Sequence, residues 1–304
     1  MLYRYKRQAE TSWFRFNARN IFKTAPLECD PAAPATFVSQ VCHRDTAMYL
    51  VALKSFGRHV RPKKVVAIDD TSLTRNDKYV LSHHIQPIEI VPITDVENQH
   101  CPKGGCWERL LYISDSVSTS YVVQVDSDTV TARTPSVIAG HLKSNVSFTL
   151  GEWRGQDIVC ARQTAAMVSR DVAAGNAHVQ MISESNLHRL PCDRDIKYVR
   201  GSAGFAGFAK GSFSRSDVER FSLGMASLIG EKKWSEWGSE QVTSNFIVAN
   251  SEKAQVLPFP EYCFHAPGTD IESATFVHFI GSHRFDGGRY ARLARKVISQ
   301  LSQA

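Results

Sequence analysis

A chain of 304 residues, 43% of them hydrophobic, can bury a full α/β core, and one large domain behind a short extension is the expected organisation. Its net charge of +6 comes from 36 Lys and Arg against 30 Asp and Glu, scattered except near the N-terminus. That balance suits an anionic small ligand and argues against a nucleic-acid groove, which carries a basic stripe. Seven cysteines, an odd number, with no start resembling a secretory leader, predict free thiols in a reducing, cytoplasmic setting. No apolar run reaches about 18 residues, so no helix is expected to span a membrane.

In chain order, residues 1–35 come first, with Arg4, Lys6, Arg7, Arg15, Arg19 and Lys23 interleaved with Tyr3, Tyr5, Trp13, Phe14, Phe16 and Phe22. Such a segment either rests on anionic lipid headgroups at the inner membrane face or packs its aromatics on the main domain. From Thr36 onward strand and helix patterns alternate: a strand over 36–41, an amphipathic helix over 46–56, strands over 65–68 and 88–91, and a helix over 107–112. That succession predicts a mostly parallel, doubly wound sheet with ligands at its carboxyl edge. Asp45, Asp69 and Asp70 fall on this rim, where a carboxylate can accept from a ribose or a base N–H; each alone is more often a cap or turn former. Cys101 and Cys106 flank an expected loop with no second Cys/His pair, so a structural zinc is not expected there.

The apolar run Tyr121-Val122-Val123-Gln124-Val125 ends in Asp126-Ser127-Asp128. Alternate residues of a strand share a face, so both carboxylates point to one side where a buried strand reaches the surface, a divalent-metal arrangement. Roughly one such triplet is expected by chance at this Asp content. Asp193-Arg194-Asp195, among charged residues after Pro191, reads as that accident, a solvated turn.

Farther on, Gly201-Ser202-Ala203-Gly204-Phe205-Ala206-Gly207-Phe208 reads as a strand whose glycines either admit a ligand to the backbone or mark a bulge, with the ligand favoured. Ser214 or Ser216 is expected to cap the next helix. Ser239-Glu240-Gln241 opens a short helix ending near Asn245, before an expected strand Phe246-Ile247-Val248. The strand containing Phe276, Val277 and His278 passes through a glycine turn to Arg284, and a final helix covers about 289–301.

Three of these segments, in this order and spacing, resemble the GT-A nucleotide-sugar glycosyltransferases, most of all the retaining glycogenin and bacterial lipopolysaccharide galactosyltransferase group. That group carries a D-x-D, then Asp-Gln-x-x-x-Asn, then H-x-x-G-x-x-K; here stand Asp126/Asp128, Glu240-Gln241 with Asn245, and His278, Gly281 and Arg284. The resemblance implies an α/β fold of a single GT-A (Rossmann-like) domain over 36–304, its mostly parallel mixed sheet covered by helices on both faces. It implies Asp126, Asp128 and His278 as ligands of Mn2+, with Mg2+ as a substitute. Asp45, Asp69, Arg109, Asp126, Ser202, Gly204, Gly281 and Arg284 would contact the donor, a nucleotide diphosphate sugar and a UDP-sugar in the first place. Glu240 and Gln241 would be catalytic, and the acceptor a glycan, a lipid or a protein. Glu240, Val242, Arg284 and Ser202 depart from the pattern, standing for Asp, a further acid, Lys and Asn.

Breaking the bond from the anomeric carbon to a β-phosphate leaves negative charge, which a divalent ion and Arg284 can neutralise. Glu240 is then either the general base of an inverting reaction or, beside Gln241, a positioning group in a retaining one, which the motif favours. Two other readings stand beside this one. A sugar-phosphate nucleotidyltransferase would carry a Gly-rich basic loop after the first strand, and Cys42-His43-Arg44-Asp45-Thr46 has no glycine. A non-catalytic module binding a nucleotide or glycan would show binding without turnover. Hydrolase chemistry finds no G-x-S-x-G.

Overall fold

Runs of Val and Ile between polar turns make strands, those over Ala35–Val41, Lys64–Asp69 and Tyr121–Val125 buried on both faces, and the pairing is mainly parallel. The computed structural model describes residues 2–151, 155–175, 177–191 and 195–303. The pair Asp193-Arg194 lies outside the described residues, as do the side chains of Tyr3, Arg4 and Tyr5. The chain forms two units: Met1–Pro92, Gln124–Gly140 and Pro258–Ala304 make the first, Ile93–Val123 and His141–Leu257 the second.

In the first unit the strands Ala35–Val41, Lys64–Asp69 and Ile88–Pro92 lie parallel, with Thr36 opposite Lys64 and Val65 opposite Ile88. Helix Thr46–Gly57 follows the first strand as expected, but it is buried almost all round rather than amphipathic. It packs against both the strand Thr129–Thr131 and the final helix Arg289–Leu301, so no face is left for water. Helix Arg75–His84 begins at a reciprocal cap: Thr74 accepts from the Asp77 N–H while the Asp77 carboxylate accepts from the Thr74 N–H. A small sheet places Phe276–His278 between Tyr262–Phe264, parallel, and Thr129–Thr131, antiparallel.

The N-terminal segment belongs to this unit as helix Leu2–Ala18 and a turn of 3-10 helix, Arg19–Lys23. Phe14 is buried, with its ring 4.2 Å from Tyr290 of the final helix. Burying such a ring stabilises by about 1.5–3 kcal/mol. Packing therefore accounts for Phe14, while Trp13, Phe16 and Phe22 stay 49%, 57% and 44% exposed.

In the second unit Phe148–Gly151 pairs antiparallel with Gly201–Phe208 and parallel with Gln255–Val256. The glycine-rich strand has a register shift between Ser202 and Ala206, a bulge. A Cβ at Gly201 would meet Thr149, and one at Gly207 would meet Phe148 and Tyr121, so close packing within the strand accounts for these two glycines. Ser214 caps helix Arg215–Ile229 together with Asp217. The expected strand over 246–248 is instead the end of helix Ser239–Ala249. Phe246 stacks on Phe221 at 4.0 Å and Asn245 donates to the Gly201 carbonyl at 2.9 Å, so packing on the glycine strand overrides local β preference.

Candidate active site and metal cluster

The antiparallel register that sets His278 opposite Thr129 brings the imidazole beside the carboxyl end of Tyr121–Val125, where Asp126 and Asp128 leave the strand. Ligand atoms of Asp126, Asp128 and His278 all lie within 4.8 Å of one another, and among the described residues these three make the metal-competent group. Two carboxylates and one imidazole fit a hard to borderline divalent ion. The surrounding structure fixes their backbone: the Phe279 N–H donates to the Asp128 carbonyl at 2.8 Å and the His265 N–H to the His278 carbonyl at 2.7 Å. Tyr290, fully buried, stacks on Phe279 and reaches the Ser127 carbonyl at 3.4 Å. Phe14 thus braces the Asp126–Asp128 loop through Tyr290, a support the sequence did not signal.

Asp128 is only 4% exposed, and both of its oxygens are engaged, Oδ1 with His278 Nε2 at 3.1 Å and Oδ2 with Arg284 Nη2 at 2.5 Å. Burial works against its charge, but the neighbouring His278 and Arg284 outweigh this and hold the carboxyl below its ordinary range. Gly281, at φ +56°, turns the chain after the His278 strand, and Arg284 Nε anchors back on the Phe279 carbonyl at 3.1 Å. Burial opposes the guanidinium's charge, yet Asp128, Asp45 and Asp126 together raise its pKa. Asp45 precedes helix Thr46–Gly57 but caps nothing with its side chain. Burial raises its pKa, moderated by Cys42 and Arg284. Asp45 therefore joins the charge cluster around Arg284. Asp69 does not: its carboxylate takes the Thr71 and Leu73 N–H groups at 2.9 and 3.2 Å and Lys78 at 2.8 Å, which makes it a turn former.

The remaining expected residues meet in the second unit. Arg109 and Glu240, 3% and 4% exposed, pair at 3.3 Å, and Arg109 also donates to the Ala203 carbonyl at 3.5 Å. The Ala203 N–H donates to Gln241 Oε1 at 3.4 Å, while Ser202 Oγ accepts from the Gly204 N–H at 3.2 Å. Val242, where the resembled pattern often has a further acid, is fully buried. Sequence reasoning missed a polar chain leading on from Gln241: its amide donates to Gln180 at 3.3 Å, Gln180 donates to Glu184 at 3.0 Å, and Arg200 pairs with Glu184. The available signal was the i, i+4 spacing of Gln180 and Glu184 on one helix face.

No family model matches the sequence, and no curated protein matches it. Among solved structures, the apo form of WbbM, a bifunctional glycosyltransferase, superposes with a TM-score of 0.51 at 11% identity, over 90% of this chain and 52% of that one. The fold is shared with a glycosyltransferase. It is the mixed α/β, GT-A arrangement that the motifs implied, and the chain spans about half the length of WbbM. Core-mannan synthase A from Aspergillus fumigatus in its Mn/GDP form is also similar, at TM-score 0.43 and 11% identity over 88% of this chain and 85% of that one. The galactosyltransferase LgtC in complex with donor and acceptor sugar analogues follows at 0.39 and 11%, over 85% and 95%. Of these three, the common fold rests on the superposition with WbbM.

Proposed function

We propose that this chain is a metal-dependent glycosyltransferase that moves a sugar from a nucleoside diphosphate sugar, a UDP-sugar in the first place, to an acceptor hydroxyl with retention of anomeric configuration. Residues 36–304 would form its catalytic part. The observation that carries this reading is the convergence of Asp126, Asp128 and His278 within 4.8 Å, with Arg284 held against Asp128. These three side chains would hold Mn2+ or Mg2+, which when bound supplies Lewis-acid stabilisation of a departing diphosphate. Arg284, anchored at Nε on the Phe279 carbonyl, would release Asp128 and grip phosphate oxygens bidentately. Asp45, uncommitted as a cap, would hydrogen-bond the nucleoside.

In the second unit, the engagement of Glu240 by Arg109 supports a positioning role over that of a base, because the carboxylate is buried and held by a guanidinium rather than presented to an acceptor hydroxyl. The side chain of Gln241 is partly exposed and is held by Ala203 and Gln180, which supports a positioning role for it beside Glu240. The test is a screen of nucleotide sugars for Mn2+-dependent transfer and hydrolysis, followed by NMR of the first-formed product. Retained configuration is expected; inverted product would remove the retaining assignment and make Glu240 the candidate base.

The N-terminal helix supports a peripheral membrane contact. Trp13, Phe16 and Phe22 are exposed, and the Arg19 guanidinium lies 3.8 Å over the Phe16 ring, so apolar and basic groups share this segment. No helix of the described residues is long and apolar enough to cross a membrane. The intact chain should sediment with anionic liposomes and release at high salt, and Trp13→Ser/Phe16→Ser should abolish this. No sedimentation by the intact chain would overturn the contact.

A further inference from the structure

The second unit holds a cleft of about 900 Å3 that the metal chemistry leaves unused. One wall is helix Ala161–Ala173, which turns Gln163, Thr164, Met167 and Val168 toward it; the facing lip carries Gln156 and Asp157. Its floor is charged: Glu184 is completely buried and pairs with Arg200 through both carboxylate oxygens. A buried ion pair adds little net stability against its desolvation cost, so packing alone is a weak reason to keep one beneath an open cleft. This pair is also joined to the candidate catalytic residue, since Glu184 accepts from Gln180 and Gln180 accepts from Gln241.

The lining decides what fits. Among the described residues its charged groups are Asp157, Glu184 and Arg200, and Arg200 is paired with Glu184, so a phosphorylated or carboxylated ligand would meet two carboxylates and a guanidinium that is already engaged. Amide, hydroxyl and carboxylate groups alternate with Ile158, Met167 and Val168. A pyranose ring offers the matching surface, hydroxyls around the edge and apolar C–H faces, and the volume lies in the range of pockets that enclose whole ligands. We propose that this cleft binds a neutral oligosaccharide, the acceptor glycan of the transfer proposed above and dependent on that reading for its role as acceptor.

The full chain, fluorescently labelled, would be applied to an array of neutral, sialylated and phosphorylated oligosaccharides, with UDP binding in Mn2+ measured in parallel by calorimetry. Neutral glycans should be retained and acidic ones not. Met167→Arg, at a side chain 55% exposed and therefore safe for folding, should reduce retention about tenfold or more, and Gln163→Arg should do the same. UDP binding, which draws on residues of the first unit, should be unchanged in both variants. Retention of only acidic glycans, retention of none, or equal retention by both variants would overturn the cleft assignment while leaving the transferase reading intact if UDP still binds. Absence of Mn2+-dependent UDP binding by the intact chain would instead count against the transferase reading, and the array would then report on the cleft alone.

Discussion

The two polar clusters differ in how their charges are satisfied. In the first unit Asp126 and Arg284 are partly exposed, and Asp128 is held by partners that a ligand could replace. In the second, Arg109 and Glu240 are sealed from water and held by each other and by a strand carbonyl. A charge cluster that can exchange partners is suited to binding an ion and an anion. A sealed pair is suited to fixing the shape of what surrounds it. Breaking either cluster should therefore fail in different ways, one in binding and the other in folding.

The largest effect is expected from Arg109→Met, which leaves the Glu240 carboxylate buried without its guanidinium and should cost about 3–5 kcal/mol by chemical denaturation. Adding Glu240→Gln should recover a substantial part, since the uncompensated charge is gone; strict additivity of the two would show that the pair is not coupled. A smaller and opposite-signed effect should follow Arg284→Met. Removing a cation that occupies Asp128 Oδ2 should tighten binding of Mn2+ alone by about tenfold while weakening UDP binding in Mn2+. Weaker Mn2+ binding in that variant would mean that Arg284 does not compete for the carboxylate.

Glu240→Gln on its own should keep transfer within about tenfold of the parent, whereas loss of a general base would cost about two to four orders of magnitude.

The smallest effect tests whether buried charge elsewhere in the first unit follows the same rule. Lys54 is 2% exposed, donates to Thr24 and the Ala25 carbonyl, and has its pKa pushed down to about 8 by burial. Between pH 8 and the ordinary lysine range near 10.5 the unfolded chain holds a proton that the folded chain has released, so stability contributed by this group should rise with pH across that window. Thermal midpoints of the parent and Lys54→Met should diverge accordingly. No divergence would mean that Lys54 keeps its ordinary pKa when folded.

What could be read from the sequence tracks how local its cause is. The strand ending at Asp126, the rim position of Asp45 and the helix from Arg289 follow from periodicity and turn residues, which act over a few positions. The pairing of His278 with Asp128 spans 150 residues and was accessible only through motif order. The strand expected over 246–248 failed because β-branched residues were read without the partner surface, the strand at Gly201, that makes a helix the better packed state. Phe14 could not be assigned between lipid and core, since only Tyr290, far along the chain, decides it. The Gln180, Glu184 and Arg200 chain went unseen because no single one of these residues is unusual where it stands.

The central claim is that Asp126, Asp128 and His278 hold a divalent ion that recruits a nucleoside diphosphate. Calorimetric titration of UDP and GDP into the intact chain, with Mn2+ and with chelator, and then into Asp128→Ala, tests it most directly. The account predicts binding that requires Mn2+ in the parent and disappears in the variant, with the unfolding transition of the variant still cooperative. Nucleotide binding that is indifferent to Mn2+, or equal in the parent and a folded Asp128→Ala, would contradict it.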